Sequence, residues 1–200
     1  MAAGPFYTRW TEATWSVVLV LAALLGTAAT QAWMGRSPLG PDGRLALWEW
    51  NIWSQECSQR LIDPYSFSHI LHGILFYAGL WMIARRQLAI HPRFWIALAL
   101  ETGWELLENS PLIIQRYREA TLALGYEGDS IVNSLSDILM MVFGFIFAQR
   151  APRWVSLGAV LLMEILCAWW IRDNLTLNII MLLHPVEGIK AWQLGARPTG

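Results

Sequence analysis

Charged residues are scarce in this sequence. They make up 14% of the chain, against 56% for hydrophobic residues, whereas about a quarter of the residues in a typical soluble domain are charged. Lysine occurs once, at Lys190, and the arginines are scattered along the chain. This distribution offers no basic patch for a nucleic acid. The composition therefore indicates an integral membrane protein with no nucleic-acid partner.

Cysteine is also scarce, and the familiar metal motifs are missing. Cys57 falls in a predicted loop and Cys167 inside an apolar run, so we expect neither a disulfide nor a thiolate metal site. The sequence contains no HExxH motif and no Glu-x-x-His pair of the di-iron type. It therefore offers no strongly specific signal for a particular metal.

Long apolar runs dominate what is present. They predict an all-α, polytopic membrane helical bundle that forms one domain over residues 1–200. A transmembrane helix needs about 20 apolar residues, and five runs of about that length are found. The predicted spans are 15–33, 65–84, 94–114, 130–149 and 154–171.

Two shorter stretches complete the predicted architecture. Residues 175–183 are apolar but too few to cross ~30 Å of hydrocarbon at ~1.5 Å per residue, so they predict a re-entrant or interfacial segment. The loop 34–64 begins with several Gly and Pro residues. Its later part, Leu45 to Gln59, mixes aromatic and acidic residues and predicts a short helix lying in the membrane interface.

Arginines predict the orientation of the chain. Short loops with arginines follow the second and fourth spans, and the positive-inside rule places those loops in the cytoplasm. The amino terminus is then also cytoplasmic, and loops 34–64, 115–129 and 172–174 face outward. The arginines that carry this prediction are Arg85, Arg86, Arg93, Arg150 and Arg153.

The third run carries three carboxylates, which is unusual for a membrane span. Glu101, Glu105 and Glu108 are spaced so that they lie along one stripe of a helix. An ionised carboxylate in the middle of a span costs roughly 2.5 to 3.5 kcal/mol on insertion scales, and such residues usually mark a functional site. We therefore expect the stripe to face protein, water or a cation rather than lipid.

Polar residues of four spans are predicted to share one depth, near the outward ends of their helices. This convergence predicts one cavity that opens toward the periplasmic face. Carboxylates gathered there would repel one another and would need protons, arginines or a cation. The residues concerned are His69, His72, Glu105, Glu108, Asn109, Asp129, Asn133, Asp137 and Arg172.

The mixture of imidazoles and carboxylates suggests a division of roles. Imidazole with carboxylate suits Zn, Mn or Fe, whereas carboxylates alone would suit Ca or Mg. We therefore predict a divalent metal near His69, His72 and Asp129. Catalysis is assigned to Glu105, Glu108 and Asp137. Substrate contacts are assigned to Asn109, Asn133 and Arg172, the last of these toward an anionic head group.

Structural explanations are open for several of these residues. The two histidines could act as donors that tie spans together, and Glu101 could be a protonated, hydrogen-bonded core residue. Asp129 could serve only as a helix cap, and Asn133 could bridge two helices. After the short apolar segment, His184 and Glu187 would cover the cavity if that segment dips inward, and would be interfacial if it lies flat.

Four stretches of sequence resemble a known family. They are DPYSFSHILHGILFY (63–77), ETGWELLENS (101–110), GYEGDSIVNSLSDILMMVFGF (125–145) and RDNLTLNIIMLLHPVEGIKAWQ (172–193). They look like the bacterial inner-membrane family called domain of unknown function twenty-five eighty-five. That resemblance implies an inner-membrane location and brings no assigned activity.

A more distant similarity concerns the acidic helix and the Asp-x3-Asn-x3-Asp span that ends in Gly144. This pattern is similar to the VanZ-like membrane proteins, which are associated with glycopeptide-antibiotic resistance. The similarity implies a small helical bundle with an acidic site near the outer leaflet. The sequence departs from that pattern through the His69/His72 pair and the terminal HPVE segment.

Three functions are compatible with the sequence. The first is a periplasm-facing, membrane-embedded hydrolase, metal-assisted, that acts on a lipid-linked or amphipathic substrate. The second is an accessory or assembly subunit of a larger membrane complex, without catalytic activity. The third is transport of a proton or small solute, with Glu101 as a relay. Beyond the lipid bilayer, the expected partners are thus a lipid-linked substrate or a larger membrane complex.

Overall fold

The fold is all-helical in the computed structural model, which describes residues 5–123 and 125–195, with side chains from residue 11 onward. Residues 1–4, which belong to the amino terminus predicted to be cytoplasmic, lie outside the described residues. Eight helices are present in the described part of the chain. They are α1 (Pro5–Trp33), α2 (Ser66–Ala84), α3 (Ile90–Glu108), α4 (Pro111–Ala120), α5 (Ile131–Arg150), α6 (Arg153–Ile171), α7 (Leu175–Leu183) and α8 (Glu187–Leu194).

Four of these helices are long and apolar enough to cross a membrane: α1 from Thr11, α2, α5 and α6. Together with the all-helical fold, they make this a helical membrane bundle. The central helix is α5, because half of its apolar stretch is buried inside the protein, against 6% for α1 and 17% for α6. The outer faces of α1 and α6 are therefore largely open to lipid, and so is that of α2, whose apolar stretch is 22% buried.

Two glycines set the closest helix contact, between α2 and α5. A Cβ atom on Gly73 would lie 2.1 Å from the carbonyl oxygen of Met141, and one on Gly144 would lie 2.1 Å from that of Ile70. Small residues of this kind let helix backbones approach closely in membranes. Beside this crossing, Met141 and Phe145 of α5 pack with Phe94 and Leu98 of α3 in the apolar core. The crossing brings the polar part of α2 against that of α5.

The third predicted span differs from the structure. Residues 94–114 do not form one helix, because α3 ends at Glu108 and α4 begins at Pro111. Ser110 is the N-cap of α4 and its side chain accepts a hydrogen bond from the Ile113 N–H. A serine cap followed by proline at the first helical position is a strong helix start. The break therefore follows from local sequence, and it places Asn109 in a turn.

The predicted interfacial helix Leu45 to Gln59 is wrong. This segment is a non-helical loop that folds back on itself through a parallel bridge between Trp48 and Ile62. Backbone N–H groups of Leu61 and Ile62 donate to carbonyls of residues 46 and 47. Arg60 fastens the loop further, since its guanidinium contacts Asp42 at 2.7 Å. Cross-pairing of extended backbone thus replaces the helix.

Candidate functional site

The polar centre of the protein lies where α2, α3 and α5 meet, and Glu101 organises it. The Nδ1 atom of His69 lies 2.6 Å from one oxygen of Glu101, and Nδ1 of His72 lies 3.0 Å from the other. A carboxylate can only accept hydrogen bonds, so both imidazoles donate their Nδ1–H to it. This tautomer leaves Nε2 of each ring available for another partner.

Two more carboxylates approach His69. Glu105, one turn beyond Glu101 on α3, has an oxygen 3.3 Å from Nδ1. Asp137 of α5 has an oxygen 3.8 Å from Nε2, and its other oxygen accepts a hydrogen bond of 3.0 Å from the hydroxyl of Ser66. One imidazole therefore lies among three carboxylates from two helices. We call His69, His72, Glu101, Glu105, Glu108 and Asp137 the histidine centre.

Glu105 is the unusual member of the histidine centre. Its side chain is completely buried, and neither of its oxygens has a hydrogen-bond partner in the described part of the protein. The buried Oε2 of Glu108 is also without a partner there. Leaving a buried acceptor unpaired costs about 1 to 3 kcal/mol, and more when the group is charged. These oxygens therefore need a proton or a cation beyond the hydrogen-bond donors that the described residues supply.

The ion pairs of the described residues do not relieve this surplus of negative charge. Arg60 pairs with Asp42 and Glu56, and Arg118 with Glu127, all outside the histidine centre. Carboxylates gathered away from water are tolerated only when protons or cations compensate them. Within the described ranges, the two imidazoles are the only basic side chains that pair with the carboxylates of the centre.

Two overlapping groups of side chains could hold a metal ion. In each group the candidate ligand atoms lie within 4.8 Å of one another. The first is His69, His72 and Glu101; the second is His69, Glu105 and Glu108. In the first group both oxygens of Glu101 already accept from imidazoles. The second group contains the unpartnered oxygens and is the better candidate.

A cavity of about 400 Å³ opens beside the histidine centre. Its polar wall includes both imidazoles and Glu108, whereas Glu101 and Glu105 lie behind that wall. Its apolar wall is formed by side chains of α2, α3 and α7. The polar lining residues are Ser58, Asp63, Tyr65, Ser68, His69, His72, Glu108, Tyr117, Thr121, Tyr126, Asp129, Asn133, Asp137 and Asn178. The apolar ones are Leu75, Phe76, Leu100, Trp104, Ala123, Leu175, Ile179 and Leu182.

Asp129 lines this cavity but belongs to a separate, fully paired network. One of its oxygens accepts from the Tyr126 hydroxyl at 2.8 Å, and the other from the amide of Asn109 at 2.7 Å. The Asp129 N–H in turn donates to the Asn109 side-chain oxygen at 2.7 Å. Burial raises the pKa of Asp129 to about 6, although these hydrogen bonds oppose the rise. We call Asp129, Asn109 and Tyr126 the aspartate network.

The structure brings together five of the predicted site residues: His69, His72, Glu105, Glu108 and Asp137. Asp129 is absent from both groups of possible metal ligands among the described residues, and Asn109 does not line the cavity.

Asn133 lines the cavity, while its amide donates to the carbonyl oxygen of Arg60 at 2.8 Å. Arg172 caps α6 in a left-handed conformation and donates to the carbonyl oxygen of Trp192. It is therefore directed toward α8 and away from the cavity lining. His184 and Glu187 do not line the cavity either; α7 covers it instead, through residues such as Ile179 and Leu182.

The sequence interpretation missed the turn that precedes α2. Asp63 is buried and accepts hydrogen bonds from the N–H groups of Ser58 and Tyr65 at 2.8 and 2.7 Å. Ser66, which holds Asp137, is also buried. Asp63, Ser66 and His69 are spaced by three residues, which places them on one side of a helix start. That spacing was the available signal.

Comparison with known proteins identifies the family of this chain. The family model described as "Protein of unknown function (DUF2585)" matches residues 31–195. This chain belongs to that family. The match includes all residues of the histidine centre and of the aspartate network, and it confirms the predicted family resemblance. The similarity to VanZ-like proteins stays a prediction.

Several bacterial relatives match along nearly their whole length, and each is called UPF0314 protein. One from Sphingopyxis alaskensis is 50% identical over 186 residues, which covers 90% of this chain and 95% of the relative. One from Paracoccus denitrificans is 46% identical over 189 residues, covering 94% and 95%. One from Rhizobium etli is 48% identical over 184 residues, covering 92% and 93%. No solved structure matches the chain.

Proposed function

We propose that this protein is a membrane-embedded, metal-assisted hydrolase that acts on an amphipathic substrate from the periplasmic side of the inner membrane. The observation that carries the proposal is Glu105, a fully buried carboxylate with two unpartnered oxygens, one of which lies 3.3 Å from Nδ1 of His69. A polar side chain in such a position is stable only with a proton or cation next to it. A divalent metal would meet this need and supply a hydrolytic centre.

The favoured metal ligands are His69, Glu105 and Glu108. One imidazole with two carboxylates suits Zn, Mn or Fe. When bound, such an ion would activate a water molecule near neutral pH and polarise a carbonyl group. Glu101 would orient the two imidazoles through their Nδ1–H groups, a common arrangement around metal-binding histidines.

The remaining polar groups have roles in proton transfer and positioning. Asp137 lines the cavity 3.8 Å from Nε2 of His69 and is held by the Ser66 hydroxyl. A carboxylate in this place can take a proton from an attacking water and return it to a leaving group. His72 lines the same wall between Phe76 and Trp104, where its Nε2 can contact a substrate polar atom.

The proposed orientation rests on the arginine-rich loops. Residues 85–93 and 150–153 carry them at one end of α2 and α5, while Asp63 and Asp129 precede the other ends of these helices. The positive-inside rule assigns the arginine end to the cytoplasm. The polar end of the cavity would then lie toward the periplasm, and the amino terminus would be cytoplasmic.

Metal analysis of the detergent-purified protein tests the proposal directly. We expect about one Zn, Mn or Fe ion per chain, lost in Glu105→Gln and retained in Glu119→Gln. Glu119 is a matched control because it is exposed on α4, where its side chain accepts a hydrogen bond from Gln115. Hydrolysis of p-nitrophenyl acyl esters in proteoliposomes should follow the metal content. Absence of metal from both proteins, with a stably co-purified partner protein, would instead support the accessory-subunit function.

A further inference from the structure

The two ends of the cavity differ in a way that identifies the class of ligand. We propose that the cavity binds a single-chain amphiphile with an uncharged or cationic head group, which enters sideways from the bilayer, and that it rejects phosphorylated lipids. This inference rests on the proposed function in taking the cavity as the substrate site. It adds the chemistry of the substrate and its route.

The apolar end opens on the lipid-facing side of the bundle. Leu75, midway along α2, is 46% exposed, and Leu100, midway along α3, is 50% exposed. Both side chains also line the cavity. A side chain that belongs at once to the cavity wall and to the outer surface marks a rim. Since α2 is one of the membrane-spanning helices, this rim lies among acyl chains, and an alkyl tail can pass it without entering water.

The polar end lacks the side chains that bind phosphate. No lysine or arginine belongs to the cavity lining found among the described residues, whereas four carboxylates do: Asp63, Glu108, Asp129 and Asp137. Phosphate is normally bound by Arg, Lys or free helix N-termini. Placing like charges together across an interface costs several kcal/mol. A phosphorylated head group would therefore be repelled at this end.

The N-termini of α5 and α7, two of the helices that line the cavity, are already satisfied. Ser130 accepts from the Asn133 N–H at the start of α5, and Asn174 accepts from the Leu177 N–H at the start of α7. Glu164 accepts from the Leu175 N–H as well. These N-terminal amides are thus not free to bind an anion. The anionic head group first assigned to Arg172 also loses its partner, because Arg172 bonds to Trp192.

A neutral or cationic head group finds suitable partners instead. Nε2 of His72 can accept from a hydroxyl or an amine, and Glu108 offers carboxylate oxygens. The cavity volume of about 400 Å³ is near the lower end of the range for ligand sites, roughly 300 to 1,000 Å³. It therefore suits one alkyl chain and a small head group better than a two-chain lipid.

The test is a binding measurement in nanodiscs with three oleoyl-chain probes: monooleoylglycerol, oleylamine and oleoyl lysophosphatidic acid. Displacement of a fluorescent fatty amine is measured with a chelator present and again after Zn²⁺ is restored. In the presence of chelator we expect the neutral and cationic probes to bind at least about tenfold more tightly than the phosphate probe. After Zn²⁺ is restored this preference should narrow, because the ion offsets the negative charge of the carboxylates. Equal or tighter binding of the phosphate probe in chelator would overturn the proposal.

Two variants test the route of the tail. Leu100→Trp fills the apolar rim and should slow the association of oleylamine about tenfold, because a blocked route of entry lowers the rate of binding. Ile165→Trp is the matched control, since Ile165 is 65% exposed on α6 and outside the cavity lining. If Leu100→Trp does not fold, Leu75→Trp replaces it. An unchanged association rate in a folded rim variant would exclude sideways entry. Because binding is measured without metal as well, failure of the metal proposal remains distinguishable from failure of this one.

Discussion

The histidine centre and the aspartate network each contain buried carboxylate groups beside one cavity, yet their hydrogen bonds differ. Both oxygens of Asp129 accept from protein donors, Tyr126 and Asn109. Neither oxygen of Glu105 does so. Burial alone therefore does not separate a functional carboxylate from a structural one. The separation lies in whether the protein supplies every partner, since a complete network stabilises the fold and an incomplete one is open to a ligand.

The largest effect should come from a change that separates α2 from α5, because this moves His69 and His72 away from Asp137 and disrupts the histidine centre. Gly144→Ala would place a Cβ 2.1 Å from the Ile70 carbonyl oxygen and force α2 away from α5. We expect this variant to lose its monodisperse peak in size-exclusion chromatography. Gly158→Ala on α6 is the control, because its Cβ would meet nothing within 4 Å. Normal behaviour of Gly144→Ala would mean that the close crossing is not required.

A change confined to the aspartate network should destabilise the protein and leave the metal in place. Asp129→Leu removes the acceptor of the Tyr126 hydroxyl and one of the acceptors of the Asn109 amide, which should lower the free energy of unfolding by about 1 to 3 kcal/mol. Denaturant unfolding in detergent measures the loss, and elemental analysis the metal. Loss of metal at unchanged stability would assign Asp129 to the functional centre instead.

The matching change in the histidine centre should have the opposite sign. Glu105→Met replaces an unpartnered buried carboxylate by an apolar side chain of similar length, so we expect the metal-free protein to become more stable by about 1 to 2 kcal/mol. Measurement in chelator, alongside Asp129→Leu, makes the comparison direct. A destabilised Glu105→Met would show that Glu105 holds the bundle together and would remove the contrast between the two clusters.

The smallest expected effect concerns another buried carboxylate, Asp173, which lies outside both clusters. Burial raises its pKa from 3.8 to about 7, although hydrogen bonds including that from Gln193 oppose the rise. Between these values the folded protein binds more protons than the unfolded chain, so stability should fall as pH rises from about 4 to about 7. Asp173→Asn removes the titrating group and should therefore flatten this slope in thermal unfolding. The hydrogen bond from Gln193 is kept, because the Asn side-chain oxygen can still accept it. An unchanged slope would assign the pH dependence to other groups.

Much of the fold could be predicted from the sequence, because hydrophobic length and helix ends are local properties. The helices α2, α5 and α6 begin and end within one residue of the apolar runs 65–84, 130–149 and 154–171. The predicted all-helical fold is confirmed. The break after Glu108 was missed because hydropathy continues across it, although Ser110 and Pro111 signal a new helix. The loop 45–59 was misjudged because its pairing partners, Leu61 and Ile62, lie outside the segment.

The site could be predicted in part. Charge in an apolar span indicated that Glu101, Glu105 and Asp137 matter, and helix spacing placed His69 and His72 on the same side of α2. Spacing cannot show which buried carboxylates find donors, because Tyr126 and Asn109 reach Asp129 from a loop and from a helix break. For the same reason the sequence grouped Asp129 with the histidines. Arg172 was misplaced because its left-handed cap conformation directs it toward Trp192.

Glu101 holds two imidazoles with one side chain, and this has a consequence for genetics. Substituting Glu101 releases His69 and His72 together, so losing either histidine afterwards should add little further damage. Double-mutant cycles between these positions should therefore be strongly non-additive. In a deep mutational scan, positions 69, 72 and 101 should therefore show similar intolerance to substitution, because a change at any one of them disrupts the same set of hydrogen bonds.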